Sequence, residues 1–427
     1  MIPADLAAGL IAAVRAAIAA GELPPQAGQV VPSGTWRPAP PGLPPPAPPP
    51  SLPPPGSSAP GPANPEWPPS VPGSAAAMAR RYATSLPFTL SRIAGREPRE
   101  VAAGLGGAVA QLPWVSSAEV TGAGYLTIEV TPATLADVAV RVSRAGLSCA
   151  CGGAVGDPAL RVPASTPGSP GPPLPDLAGQ PGWPQAGRAQ AAAVTARLRR
   201  AAATPLPEGC RPPDDDENGT GTDENGTGTK ADAKRDRPAV RQPGPPAGPV
   251  ASAVSFAGAD AVRYWLTRSA SWPAQGPSAG TLATRDLANP WYAVTFAQAD
   301  AAATRRRAAD LGLWHGEPGL AGERLAGLLG EPAELALLGQ LSWLGERVAG
   351  AARRARPADL ARYLEEVSAA WLDCREACPA LPFGGAAAPR TAAGISARLL
   401  LAGATAAALA AGLLLTGVAI MPDSAGL

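Results

Sequence analysis

Histidine is almost absent from this sequence, because the 427 residues include only His315. A site that needs two histidines therefore cannot form, which excludes the HExxH zinc sites of metalloproteases. A hydrolytic Ser-His-Asp triad would have to use His315. Its neighbours Trp314 and Gly316 are typical of a helix end, so we predict a solvated or capping role for this histidine.

Cysteine is also scarce. The odd number of cysteines and the absence of CxxC pairs argue against a disulfide framework and against a zinc site. We expect small buried or idle thiols in a reducing, cytoplasmic compartment, and no metal. The five cysteines are Cys149, Cys151, Cys210, Cys374 and Cys378.

Charged residues make up only 16% of the chain and aromatic residues 4%, and the net charge is +1. This balance does not by itself indicate a nucleic-acid partner. The basic residues are nearly all arginine, since Lys230 and Lys234 are the only lysines. With the alanine excess, this bias is typical of GC-rich codon usage, so runs of arginine carry less weight than usual.

Proline and glycine, by contrast, are abundant, with 54 and 49 residues. The proline-dense residues 32–73 predict polyproline II or disorder. Residues 148–251 predict a low-complexity linker that contains one short helix. Its tandem heptad DENGTGT resembles the start of a calcium loop, but the twelfth loop position is Asn225 rather than glutamate. A solvated acidic linker is therefore favoured over a calcium site.

The other segments carry the periodic patterns of folded structure and predict a multidomain protein. An N-terminal helix (1–31) and a small α/β region (74–147) precede an all-helical C-terminal bundle (252–427). In the bundle, one helix begins at Pro332 and the next at Pro357. The α/β region is expected to contain helices at 75–90 and 98–112 and paired strands at 115–119 and 125–130.

Residues 399–421 form an uncharged run that is long enough to cross a bilayer. Only Arg398 flanks this run, which is rich in alanine and glycine. An apolar helix at the centre of a bundle has the same composition. Composition alone leaves both interpretations open.

Two stretches, taken together, resemble arginyl-tRNA synthetase. The first contains Tyr82-Ala-Thr-Ser-Leu-Pro-Phe-Thr-Leu90, then Pro98-Arg-Glu-Val101, then the segment from Val120 to Val130. It is similar to the additional domain at the synthetase N-terminus, which rests on the tRNA elbow. The resemblance implies a small α/β domain that binds the elbow.

The second stretch resembles the start of that family's DALR-type anticodon-binding bundle. It joins Gly258-Ala-Asp-Ala-Val-Arg-Tyr264 to Asn289-Pro-Trp-Tyr-Ala-Val-Thr-Phe-Ala-Gln-Ala299. The Cys378-Pro-Ala-Leu-Pro382 segment and the apolar C-terminal run are similar to the end of the same bundle. This implies a buried helix rather than a membrane span at 399–421.

The segment between these stretches departs from the family. A synthetase places its catalytic domain there, with an HxGH motif that contacts ATP and a Lys-Met-Ser-Lys-Ser-like loop. Here about a hundred low-complexity residues occupy the gap, which is below the usual size of such a domain. One histidine cannot supply HxGH. We expect no arginine activation and no cofactor, and ATP would be one only if the family's activity were retained.

Aromatic and basic side chains are the residue types that stack on unpaired bases and contact phosphates. The candidates on the elbow-binding side are Arg80, Arg81 and Tyr125. Gln298 stands where the family has a histidine. For the arginines, the alternative is a solvated helix face. The candidates on the bundle are Trp291, Tyr292, Gln298, Arg305, Arg306, Arg353 and Arg354.

The favoured hypothesis is a non-catalytic, cytoplasmic relative of arginyl-tRNA synthetase that binds tRNA. Arginine isoacceptors are the expected ligands, and a separate synthetase or another translation protein is a further expected partner. A flexible linker between the two sites would raise avidity if it spanned a tRNA arm. The alternatives are a protein-interaction module that has lost tRNA binding and a protein tethered to a membrane by its C-terminal helix.

Overall fold

The computed structural model describes most of the chain outside the proline-rich and acidic segments. His315, the tandem heptad and both lysines lie outside the described residues. The described ranges are 2–30, 36–38, 78–151, 173–204, 248–313, 320–381 and 391–420.

A small α/β unit forms the N-terminal half. Its sheet is antiparallel with the strand order β1-β2-β4-β3. Gly122 and Gly124 close the β3–β4 hairpin with positive φ angles of 57° and 133°, as the Gly-Ala-Gly sequence predicts. The elements are α1 (Ile2–Ala19), β1 (Trp36–Pro38), β2 (Arg81–Thr84), α2 (Leu86–Ala94), α3 (Pro98–Val109), β3 (Val115–Thr121), β4 (Tyr125–Val130) and α4 (Pro132–Ala145).

The helix predicted at 75–90 is wrong in its middle, although its last residues are helical. Arg81–Thr84 form β2, which pairs with β4 on one side and with the edge strand β1 on the other. Pro87 lies in the first turn of α2, where its missing N–H costs nothing, so it starts a helix rather than breaking one. β1 itself lies in the segment that the sequence assigned to proline-rich disorder. Its Pro38 is on the edge strand, where proline is tolerated.

The rest of the described chain is helical. Proline occupies the first turn of five of these ten helices. Asn289 and Thr391 cap two helices by accepting backbone N–H groups. The helices are α5 (Trp183–Ala203), α6 (Pro249–Ala257), α7 (Ala259–Arg268), α8 (Ala279–Ala283), α9 (Pro290–Asp310), α10 (Gly322–Leu328), α11 (Pro332–Ser342), α12 (Leu344–Arg354), α13 (Pro357–Ala377) and α14 (Ala392–Thr416). Two short 3₁₀ helices lie at Pro25–Gln29 and Gly146–Ala150.

Two sequence-based boundaries in this bundle need correction. The stripe that begins at Pro332 is two helices, because the chain bends at Trp343 between α11 and α12. Helix α5 lies within the segment predicted to be a linker. It is buried along one face, where Gln190 donates to the carbonyl of Thr416 at 2.8 Å. The sequence predicted a short helix in this segment, but its few large apolar residues gave no sign that the helix is longer and packs into the bundle.

The apolar C-terminal run forms α14 at the centre of the bundle. Two described helices, α1 and α14, are long and apolar enough to cross a membrane, but 83% of the most apolar window of α14 is buried inside the protein. Small residues allow this packing, because a Cβ on Gly412 would lie 2.3 Å from Cδ2 of Leu364 in α13. Burial on all sides explains why α14 is apolar all round.

The α/β unit and the bundle share one hydrophobic core that extends from Ile2 to Val418. Tyr82 of β2 is fully buried, its ring lies 5.3 Å from that of Trp343, and its hydroxyl lies 2.8 Å from Ser342 Oγ. Asp137 of α4 accepts the backbone N–H of Gly322 at 2.7 Å. The expectation of two sites free to separate on a flexible linker is therefore wrong for the described residues.

Three buried tyrosines predict a loss of stability at alkaline pH. Burial raises the pKa of Tyr82, Tyr264 and Tyr363 well above the ordinary value near 10. The unfolded state therefore releases these protons first. The contribution of each tyrosine to the free energy of unfolding is fully present below pH ~10. Above this pH the free energy of unfolding falls by up to about 1.4 kcal/mol per pH unit for each tyrosine, until the pKa of the folded state is reached.

Urea denaturation at pH 8 and pH 11 measures this loss, and few lysines are present to titrate in the same range. Tyr363→Phe should reduce the pH dependence by about one tyrosine's share. Equal unfolding free energies at the two pH values would contradict the assignment of these hydroxyls as buried and neutral.

Candidate nucleic-acid interface

The candidate arginines on the sheet are paired with carboxylates. Arg80 lies 3.0 Å from Glu129, and Arg81 lies 3.6 Å from Glu119. The sheet register causes this pairing, because β4 lies between β2 and β3. Tyr125 is 40% exposed and packs edge-on against Phe88. The sheet therefore offers an aromatic pair but little free positive charge.

The candidate arginines of α12 are also paired. Arg353 lies 2.6 Å from Glu346, and Arg354 lies 3.0 Å from Asp359. Both pairs are local, since each carboxylate lies within seven residues of its arginine along the chain. The Arg353–Glu346 pair is largely shielded from water, whereas Arg354 is exposed, and the charge of each arginine is balanced by a carboxylate.

Helix α9 carries the other candidates on different faces. Gln298 is buried at 1% exposure, and Trp291 packs against the core. Arg305 lies against Gly403 of α14, and burial lowers its pKa. Arg306 is exposed, while Tyr292 is partly buried. Of these residues, Tyr292 and Arg306 retain surface that a ligand could contact.

A stack of three planar groups lies on the surface between α9 and α13. The ring of Tyr292 is stacked on that of Phe296 at 5.8 Å, and the guanidinium of Arg375 lies 5.9 Å from the centre of the Phe296 ring. Arg375 donates to Asp300 Oδ1 at 2.7 Å, which fixes the plane of its guanidinium. Arg375 was not among the residues predicted from the sequence, although it follows the buried Trp371 by one helical turn.

Beside this stack is a cleft of about 760 Å³. One wall is the face of α9 that bears Asp300, Thr304 and Arg307, spaced at helical intervals. The indole N–H of Trp371 donates to Asp300 Oδ2 at 3.1 Å, so both oxygens of this carboxylate are held. The other walls are the end of α13, the segment that follows it and the start of α14, with lining residues that include Trp371, Cys374, Leu381, Arg398 and Leu401.

The cleft has mixed polarity. Arg307, Arg375 and Arg398 line it together with Asp300, Asp310 and Glu376. Burial raises the pKa of the Cys374 thiol to about 12, so it is neutral at physiological pH. Such a lining offers donors and acceptors to a polar planar ligand rather than a concentrated positive field for phosphate. Among the described residues, no group of three His, Cys, Asp or Glu side chains is placed to hold a metal ion.

Part of the cleft lies in residues that match a known family model. Residues 315–422 match the DALR anticodon binding domain. The match covers about a quarter of the chain and is consistent with the resemblance to arginyl-tRNA synthetase. No curated protein matches the chain.

The DALR match contains α10 to α14, and α9 lies outside it. The cleft is therefore formed by the DALR segment together with the helix that precedes it. Most of the cleft lining belongs to the matched residues, and the aromatic stack crosses the boundary through Phe296 and Arg375.

Proposed function

We propose that this protein is a non-catalytic relative of arginyl-tRNA synthetase that binds tRNA through the α9–α13 cleft. The observation that carries the proposal is the Tyr292–Phe296–Arg375 stack beside a cleft in a DALR-matched bundle. Unpaired bases add to the end of such a stack with little sequence preference, because every base has a π-face. The loop bases of an anticodon are unpaired and accessible in this way.

The arrangement of side chains in the cleft favours binding of a base in its interior and of phosphates at its rim. Asp300 is fixed by Trp371 and Arg375, so its carboxylate is oriented before a ligand arrives. Arg306 and Arg307 are exposed on α9. Unlike Arg375, neither forms an ion pair with a carboxylate of the described residues. They supply positive charge to the backbone of a bound RNA loop.

The same proposal assigns no aminoacylation to the chain and no cofactor. Its expected ligands are tRNAs, with arginine isoacceptors first among them, in the cytoplasm, and a separate synthetase is a further proposed partner. Charging of tRNA with labelled arginine in the presence of ATP by the purified protein would contradict the non-catalytic part.

Alanine variants of the stack test the binding part. Arg375→Ala and Tyr292→Ala should each weaken binding of a fluorescent anticodon hairpin about tenfold, since one stacking contact contributes ~1–3 kcal/mol. Arg362→Ala is the matched control, because Arg362 is an exposed arginine of the same helix α13 and does not line the cleft. Fluorescence anisotropy measures the dissociation constants.

The comparison of the two arginine variants is decisive. A diffuse electrostatic attraction would make Arg362→Ala and Arg375→Ala weaken binding equally. That result, or a wild-type protein that binds the hairpin no better than a fully paired duplex, would contradict the cleft as the site.

A further inference from the structure

The position of the α/β unit relative to the cleft limits which part of a tRNA this protein can contact. Ser143 of α4 donates to the carbonyl of Leu400 at 3.4 Å, and the next residue, Leu401, lines the cleft. An α-helix with its side chains is about 10–12 Å across. Helix α4 therefore lies about one helix thickness away from the cleft wall, on another side of α14.

This position is fixed by contacts spread along the unit. Tyr82 contacts Ser342 and Trp343 at the junction of α11 and α12, and Asp137 contacts the start of α10. A Cβ on Gly339 of α11 would lie 3.1 Å from the Cα of Ala79, so backbone meets backbone at this point. Three separate contacts leave no hinge between the α/β unit and the bundle.

The two arginines that the sequence suggested for elbow binding are engaged within the α/β unit. Arg80 and Arg81 each lie beside a glutamate of the sheet. A carboxylate beside an arginine cancels most of its attraction for phosphate. These two candidates for elbow binding therefore offer little net positive charge to an RNA backbone.

We propose that this protein recognises the anticodon arm alone and makes no productive contact with the tRNA elbow. The inference rests on the proposed function. The elbow lies at the far end of the anticodon stem and of the D stem stacked on it, whereas the α/β unit is fastened directly behind the anticodon-binding cleft. The ligand class is an RNA hairpin with an unpaired loop, and the α/β unit is a structural support for the bundle.

Binding of truncated RNAs to the full-length protein tests the inference. The probes are an arginine tRNA transcript, its anticodon hairpin, and the same transcript with the anticodon loop replaced by a tight tetraloop. The hairpin should bind within about threefold of the transcript, because a second, elbow contact would instead raise avidity by about a hundredfold or more. The tetraloop transcript should bind at least about tenfold more weakly than either.

Variants of the α/β surface provide an independent measurement. Arg81→Ala and Tyr125→Ala should leave the affinity for the whole transcript unchanged within about twofold, since a lost phosphate contact or stacked base would cost more than this. Hairpin binding far weaker than transcript binding, or a loss of transcript affinity in these variants, would overturn the inference while leaving tRNA binding intact. Failure of both RNAs to bind would instead overturn the proposed function.

Discussion

Replacing Glu334 with alanine is expected to destabilise the protein by about 3–5 kcal/mol, as removal of one partner from a buried ion pair does. Glu334 has no exposed surface, and one carboxylate oxygen accepts Arg398 Nε at 2.6 Å. The other oxygen accepts the backbone N–H of Glu331 at 3.0 Å in a capping box at the start of α11. The variant therefore loses a helix cap and leaves the Arg398 charge without its partner.

The pKa of Arg398 is raised, as the pairing with Glu334 requires. Burial alone lowers the pKa of Arg398, but the hydrogen bond and charge of Glu334 outweigh burial and raise it. The side chain of Arg398 is only 19% exposed, so water cannot replace the lost carboxylate. This pair joins α11 to α14, and its loss weakens the packing of the central helix.

Glu366→Ala is the matched control for Glu334→Ala. Its carboxylate lies 3.8 Å from Arg347, and the side chains of Glu366 and Arg347 are 49% and 37% exposed. Removing it should cost less than about 1 kcal/mol, because water solvates both charges. Urea denaturation measures both variants, since urea does not screen charges as guanidinium does. Equal losses of unfolding free energy in the two variants would show that burial of Glu334 does not determine its contribution to stability.

Local signals in the sequence predicted the starts of elements well. Pro98, Pro332 and Pro357 each lie in the first turn of a helix, as their fixed φ angle predicts. The β3–β4 hairpin is confirmed because its turn glycines and its alternating pattern are both local. A small antiparallel sheet and a C-terminal helical region are therefore confirmed as parts of the fold.

Features that depend on distant contacts could not be predicted in this way. Tyr82 resembled a helical residue in its local sequence, but its environment comes from Trp343 and Ser342, more than two hundred residues away. Helix α14 resembled a membrane span, because burial against several helices and burial in lipid select the same apolar residues. Only the resemblance to a known family separated the two.

For the candidate site, too, the prediction depended on whether the signal was local or came from distant contacts. Aromatic candidates were chosen by residue type, and Tyr292 is one of them that retains exposed surface. The arginine runs were chosen by charge, but the sheet register pairs Arg81 with Glu119 across three strands. Arg375 was missed because its stacking on Phe296 exists only once α9 and α13 pack together.

Replacing Tyr82 with alanine is expected to destabilise the α/β unit and the bundle together, by about 3–5 kcal/mol. The side chain is fully buried between β2 and the junction of α11 and α12. Because Ser342 Oγ donates to the carbonyl of Gly339, the Tyr82 hydroxyl donates to Ser342. Tyr82→Phe keeps the ring and should cost only about 1 kcal/mol, the usual net contribution of one hydrogen bond.

Hydrogen exchange followed by mass spectrometry distinguishes one cooperative unit from two. If the shared core unfolds as a whole, Tyr82→Ala should lower protection by at least about a hundredfold in peptides of β4 and equally in peptides of α14, where Tyr82 makes no direct hydrogen bond. Tyr125→Ala, an exposed tyrosine of the same sheet, should leave both unchanged. Loss of protection confined to β4 would show that the α/β unit opens independently. The α/β unit would then be free to move away from the cleft, and it could reach a distant part of a tRNA.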